Sequence, residues 1–162
     1  MRYATATGRQ YNMVVFCNAK AMDSGNLNLK KLQSEFKAAS YSYSLKFGPS
    51  SPEFSKLFFI EIEYKDSPEL FGALQVNSLP MILRISPSTS FSRAGNFALK
   101  ETDKMDGRRF SWDAEGVASF VKSRTGLRVS NELTARNENE YTFTEKSVQI
   151  GIRLRLVCRA KG

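Results

Sequence analysis

Short apolar runs separated by polar stretches mark three buried strands along the chain. Met13-Val14-Val15-Phe16-Cys17 is continuously apolar, as expected of a strand covered on both faces. Leu57-Phe58-Phe59-Ile60 is equally apolar and then alternates through Glu61-Ile62-Glu63-Tyr64, so this strand is half-exposed at its end. Met81-Ile82-Leu83-Arg84-Ile85 is the third, directly after Leu79-Pro80. Between the first two, Leu29, Leu32, Phe36 and Ala39 recur at helical spacing among charged positions. They predict an amphipathic helix from Leu27 to Ala39. The segment Ser40 to Ser55, rich in Ser and Tyr and holding Gly48-Pro49 and Pro52, reads as a long loop. Asp66-Ser67-Pro68 opens a short helix over Glu69 to Leu74. Further on, Asp106-Gly107 predicts a hairpin turn. Ser111 caps a last helix whose Val117, Phe120 and Val121 face inward, and Gly126 supplies the positive φ that ends it.

The order strand, helix, strand, short helix, strand, hairpin, helix predicts an α/β chain with a mixed central sheet flanked by helices. The small architecture that fits is the thioredoxin-like fold. Residues 1–10 read as an N-terminal tail, 11–128 as the thioredoxin-like domain and 129–162 as a C-terminal extension. Within that extension, Ser130 to Lys146 is polar and without period. Gln149 to Val157 alternates Ile150, Ile152, Leu154 and Leu156 with Gly151, Arg153 and Arg155. The alternation fits either an added edge strand or an unpartnered tail.

With 162 residues the chain is long enough to bury roughly 70% of its unfolded surface in one domain. No apolar run approaches the ~20 residues of a membrane helix. Met1 to Gln10 is polar, and no secretory signal peptide is visible behind it. The sequence has no histidine, which removes Ser-His-Asp and Cys-His catalysis, imidazole metal sites and the ordinary general base near neutral pH. Its two cysteines, Cys17 and Cys158, form neither a CxxC nor a zinc-ligand cluster. Cys17 closes an apolar run and reads as a small buried residue, and a Cys17–Cys158 disulfide stays open. No cofactor or metal is expected. The net charge of +8 favours solubility and loose attraction to nucleic acid or anionic membranes without naming a partner. A solvated basic face is the simpler reading.

Working groups in a thioredoxin-like architecture gather where the first helix begins and where a loop precedes the third strand. Leu79-Pro80 occupies the second place. In its cis form the backbone groups of Leu79 would turn outward to pair with an extended peptide; in its trans form Pro80 would merely open a strand. Glu61 and Glu63 share a strand face and could form an acid/base pair, although a solvated face is the simpler expectation. Arg108-Arg109 near Phe110 and Trp112 could bind phosphate or stack on a base. Without a glycine-rich phosphate loop or an RNA-recognition aromatic motif that signal is weak, and Trp112 reads as core packing.

Five pieces occur in order and at suitable spacing: Val14-Val15-Phe16, Leu32-Gln33-Ser34-Glu35-Phe36, Ser55-Lys56-Leu57-Phe58-Phe59, Ser78-Leu79-Pro80 and Ala118-Ser119-Phe120-Val121-Lys122-Ser123-Arg124-Thr125. From Tyr11 to Gly126 the chain thus resembles the thioredoxin-like lumenal domain of the oligosaccharyltransferase subunit 3/6 family, most closely its plant-type members. The resemblance implies an accessory domain on the lumenal face of the endoplasmic reticulum membrane, assisting protein N-glycosylation beside other oligosaccharyltransferase subunits. Redox-active members carry a CxxC at the start of the first helix. Counting back from Glu35-Phe36, its cysteines fall here on Asn26 and Leu29, so Asn26-Leu27-Asn28-Leu29 stands in its place. Without a thiolate there is no nucleophile for thiol–disulfide exchange, and the domain is expected to be redox-inactive and not an enzyme. Family members also carry a signal peptide and four membrane helices that are not seen in this sequence.

The resulting expectation is transient, non-covalent binding of unfolded or nascent polypeptide, with Asn26, Leu27, Leu29, Leu79 and Pro80 lining the groove. Nucleic acid has no part in that reading. The competing expectation is a scaffold whose basic surface, with Arg153, Arg155, Arg159 and Lys161, docks an anionic partner such as nucleic acid or lipid headgroups. Steep salt dependence would mark it.

Overall fold

The computed structural model describes residues 8–23 and 27–129. Strand β1 (Asn12–Asn18) runs between β2 (Leu57–Glu63), to which it is parallel, and β3 (Met81–Ile85), to which it is antiparallel. Helix α1 (Leu29–Lys46) makes the crossover from β1 to β2. The short α2 (Pro68–Ala73) follows β2, and α3 (Ala114–Thr125) closes the described chain.

The central position of β1 explains its unbroken apolar run. Val14 and Phe16 point to one side, where they pack with Leu32 and Phe36 of α1 and Val117 and Phe120 of α3. Met13, Val15 and Cys17 point to the other, against Phe71 of α2, Leu83, Ile85 and Phe97. Both sheet faces are therefore covered, as the mixed α/β reading requires. Phe16 and Phe120 are fully buried, and each such ring contributes roughly 1.5–3 kcal/mol relative to exposure.

Three local expectations are corrected. Helix α1 does not stop at Ala39 but runs through Ser40-Tyr41-Ser42-Tyr43 to Lys46. Tyr43 is buried there, with its ring 4.9 Å from Phe47 and 6.0 Å from Phe59, so tertiary packing overrides the weak helix propensity of the serines. The cap of α3 is Asp113 rather than Ser111. Asp113 accepts from the Gly116 amide at 2.8 Å, while the Ser111 hydroxyl donates to the same carboxylate at 2.7 Å. Asp106-Gly107 does not turn a hairpin. The amides of Arg109 and Phe110 both return to the Asp106 carbonyl, at 2.9 and 3.0 Å, and only an isolated bridge joins Leu83 to Lys104. Glycine is needed at 107 for another reason: an added Cβ would lie 2.4 Å from the Trp112 indole nitrogen.

Gly126 ends α3 with φ of 73°, as its place in the sequence predicts. The buried Glu35 carboxylate accepts from the Ala114 amide at 3.0 Å, so α1 supplies an acceptor for the N-terminus of α3. The packed body takes in Arg9, whose guanidinium donates to the Ser86 and Thr89 carbonyls at 2.9 Å, and Val129, which joins the core. Cys158 and the alternating stretch Gln149 to Val157, with the basic residues Arg153, Arg155, Arg159 and Lys161, lie outside the described residues. Among the described residues no helix is long and apolar enough to cross a membrane.

Candidate functional site

Strand register places several loops at one end of the sheet. Asn18 pairs with Glu63 and Cys17 with Met81, so the residues after β1, those after β2 and those before β3 all emerge there. Leu79 and Pro80 lie immediately before β3 and are half-buried, joined by a cis peptide bond. The Leu79 side chain packs against the edge of the core beneath α2. Among the described residues, no backbone hydrogen bond uses the amide or carbonyl of Leu79. That leaves one donor and one acceptor on the main chain at the mouth of the sheet.

The start of α1 lies at the same end. Asn28 adopts a left-handed conformation with φ of 49°, and the Leu29 amide donates to the Asp23 carboxylate at 3.1 Å. An internal carboxylate thus occupies the position at a helix N-terminus where anionic groups are favoured. Leu27 is half-buried and Asn28 exposed. Asn26 lies outside the described residues. Leu29 corrects the expected groove: its side chain is 0% exposed, so it supports the helix from below and does not line a surface. Its place in the stripe with Leu32, Phe36 and Ala39 already demanded burial.

Two residues that the sequence did not assign to the groove lie at this end of the sheet. Met22 is 55% exposed and Tyr64 is 40% exposed, and they follow the ends of β1 and β2. With half-buried Leu27, Leu79 and Pro80 at the same end of the sheet, these exposed apolar side chains give that end an apolar character. No periodicity signals Met22, and the alternation that carries the second strand through Tyr64 is corrected, since the strand ends at Glu63 and Tyr64 opens a 3-10 turn.

Glu61 and Glu63 are neither a solvated face nor an acid/base pair. Glu61 accepts from the buried Asn18 amide at 2.9 Å and from Gln33, and Glu63 accepts from the Lys20 amide at 2.9 Å. They fasten the ends of β1 and β2 to each other and to α1. Arg109 lies 6.0 Å from the Phe110 ring and Arg108 makes an exposed pair with Asp106 at 3.3 Å, while Trp112 packs against the core.

Cys17 is a free thiol, 0% exposed, and burial pushes its pKa up to about 12. At neutral pH it is protonated and enclosed, which is the inert state of a cysteine. Because the folded value is raised, the neutral thiol's contribution to stability is whole below about pH 9 and is lost as pH climbs through about 12. Thiol labelling at pH 8, followed on the peptide carrying Cys17, should therefore track unfolding. Labelling of native protein at the rate of a free thiol would contradict the enclosed site.

These features define a thioredoxin-like domain whose redox position holds no thiol. The mixed three-stranded sheet matches human ERp44 in its zinc-bound form with a TM-score of 0.50, at 10% identity over 75% of this chain and 27% of that one. The model of the OST3 / OST6 family, transporter family, matches residues 1–152, and the chain belongs to that family. It is 39% identical over 127 residues to the probable dolichyl-diphosphooligosaccharide–protein glycosyltransferase subunit 3B of Arabidopsis thaliana, covering 78% of this chain and 34% of that protein. It is 36% identical to the corresponding subunit 3 of Oryza sativa subsp. japonica, over 75% of this chain and 33% of that protein. The chain spans about a third of the length of these curated relatives.

Proposed function

We propose that this chain is the thioredoxin-like part of an accessory subunit of oligosaccharyltransferase on the lumenal side of the endoplasmic reticulum. In this role it assists N-glycosylation by holding unfolded acceptor polypeptide non-covalently. Family membership and the subunit names of its relatives support the assignment to the complex. The observation that carries the binding mode is the unused backbone donor and acceptor of Leu79 at the end of the sheet that also holds Leu27, Met22 and Tyr64. An extended segment laid along that edge pairs through its main chain, and its side chains meet those apolar groups. Pairing by backbone accepts many sequences, which suits a client defined by being unfolded.

Without cysteines at positions 26 and 29 the contact forms no mixed disulfide, and the domain itself carries out no chemistry. Glycosyl transfer belongs to another subunit. Non-covalent capture on a short edge is weak, with Kd of about 10 µM to 1 mM, or roughly −7 to −4 kcal/mol. Weak capture permits release of the client.

Fluorescence anisotropy with a neutral, unstructured labelled peptide tests this directly. Leu79→Asp should weaken binding at least about tenfold, because a charge is placed where peptide must displace water. The variant loses the packing of Leu79 on the core edge, so its thermal transition should fall, and binding is compared at a temperature where both proteins are folded. Unchanged affinity in a folded variant would remove this edge from the binding site.

A further inference from the structure

Strand β3 leads from the Leu79-Pro80 edge to the opposite end of the sheet, where Arg84 and Ser86 meet the last turn of α3. A cleft of about 270 Å³ opens there, with walls that are mostly polar. It lies at the small end of the ~300–1,000 Å³ range of ligand pockets, a size for one compact charged group. Arg84, Lys100 and Arg124 supply three cations to its lining against the single carboxylate of Asp103.

The ion pair at the base uses up that carboxylate. Asp103 Oδ1 receives Arg84 Nε at 3.1 Å and Nη2 at 2.9 Å, and Oδ2 receives the Lys100 amide at 3.1 Å. Arg84 spends its remaining terminal nitrogen on the Arg124 carbonyl. Lys100 and Arg124 therefore face the cleft with no further carboxylate in its lining. Arg124 Nε is buried and has no hydrogen-bond partner. Because Nε is closed off, contact with a group in the cleft falls to the terminal guanidinium nitrogens of Arg124. The hydroxyls of Ser88, Thr102 and Ser123 add short polar groups around the same space.

The C-terminal end of a helix ordinarily repels anions. Here several carbonyls of its last two turns accept hydrogen bonds, the terminal ones of Lys122 and Arg124 among them. Phe120 accepts from Ser123 Oγ at 2.8 Å, Val121 from Thr125 Oγ1 at 2.8 Å, Lys122 from the Gly126 amide at 2.9 Å and Arg124 from Arg84. The negative end of α3 is thereby partly masked from the cleft.

We propose that this cleft binds a phosphate group, held by Arg124 and Lys100 with the surrounding hydroxyls. The site is remote from the peptide edge and independent of it. Two sources present such a group: a small soluble phosphate compound, or the headgroup of a phospholipid.

Amide NMR of the full chain titrated with inorganic phosphate, at constant ionic strength against chloride, tests the site. Saturable shifts are expected at Ser86 to Thr89, Thr102 and Ser123-Arg124, with Leu27 and Leu79 unmoved. Arg124→Gln should weaken the affinity about tenfold, the loss of one charged hydrogen bond. Lys100→Gln, at an exposed position that leaves the fold intact, should weaken it about threefold. Sedimentation with phosphatidylcholine vesicles carrying a minority of phosphatidic acid separates the sources. Arg124-dependent vesicle binding together with the phosphate shifts assigns the headgroup, and the shifts without vesicle binding assign a soluble phosphate. Unsaturable shifts, shifts indifferent to both substitutions, or vesicle binding without phosphate-induced shifts would overturn the proposal.

Discussion

Asp103→Ala is expected to destabilise the fold by about 3 kcal/mol, seen as a lower urea midpoint with an unchanged slope. Asp103 is 4% exposed and carries three hydrogen bonds, two from Arg84 and one from the Lys100 amide. Its removal leaves the Arg84 guanidinium beside the Arg124 carbonyl alone and leaves a backbone N–H without an acceptor. Breaking a buried pair by deleting one partner costs about 3–5 kcal/mol. The Arg84 side chain remains 19% exposed, so water recovers part of the loss and the lower end applies. Asp103→Asn keeps an acceptor for the Lys100 amide and should cost roughly 1–2 kcal/mol. A midpoint unchanged by Asp103→Ala would mean that the pair does not tie β3 to its neighbours.

Leu29→Ala is expected to cost about 2–5 kcal/mol of stability and to leave peptide affinity of the folded protein unchanged. Leu29 is 0% exposed at the first turn of α1, where its amide is fixed by Asp23, so truncation opens a cavity under the helix start. The contrast with Leu79→Asp is informative. Leu29→Ala should move the denaturation curve and spare binding by the folded protein, whereas Leu79→Asp should lose binding even where the protein is folded. An Leu29→Ala variant with native stability and lost affinity would return Leu29 to the binding surface.

The periodicity of Leu29, Leu32, Phe36 and Ala39 made the buried face of α1 legible, Leu29 included. Placing Leu29 in the groove came from its correspondence to a cysteine position, and the packing of the helix start overrules that correspondence. The unbroken run Met13 to Cys17 identified the central strand because a strand covered on both faces has no polar alternation. The end of α1 was hidden because Ser40, Ser42 and Ser44 favour loops, and Tyr43 is anchored by the Phe59 ring and the Glu53 carbonyl, which lie beyond the helix. Likewise, Asp113 outcompetes Ser111 as a cap through geometry that no residue preference distinguishes. At the site, Leu79-Pro80 was legible from its place before the third strand. The exposed residues Met22 and Tyr64 were not, since their exposure depends on where short turns leave the sheet. The phosphate cleft joins residues from Arg84 to Arg124, a grouping that exists only after β3 and α3 are packed.

The most direct test of the peptide-holding role is an amide NMR titration of the isotope-labelled full chain with a neutral extended peptide at two salt concentrations. Saturable shifts confined to Leu27 to Leu29 and Leu79 to Met81, equal at both salts, are the predicted result. Shifts spread over the basic surface and lost at high salt, or none at saturating peptide, would contradict a client-holding edge beside Leu79.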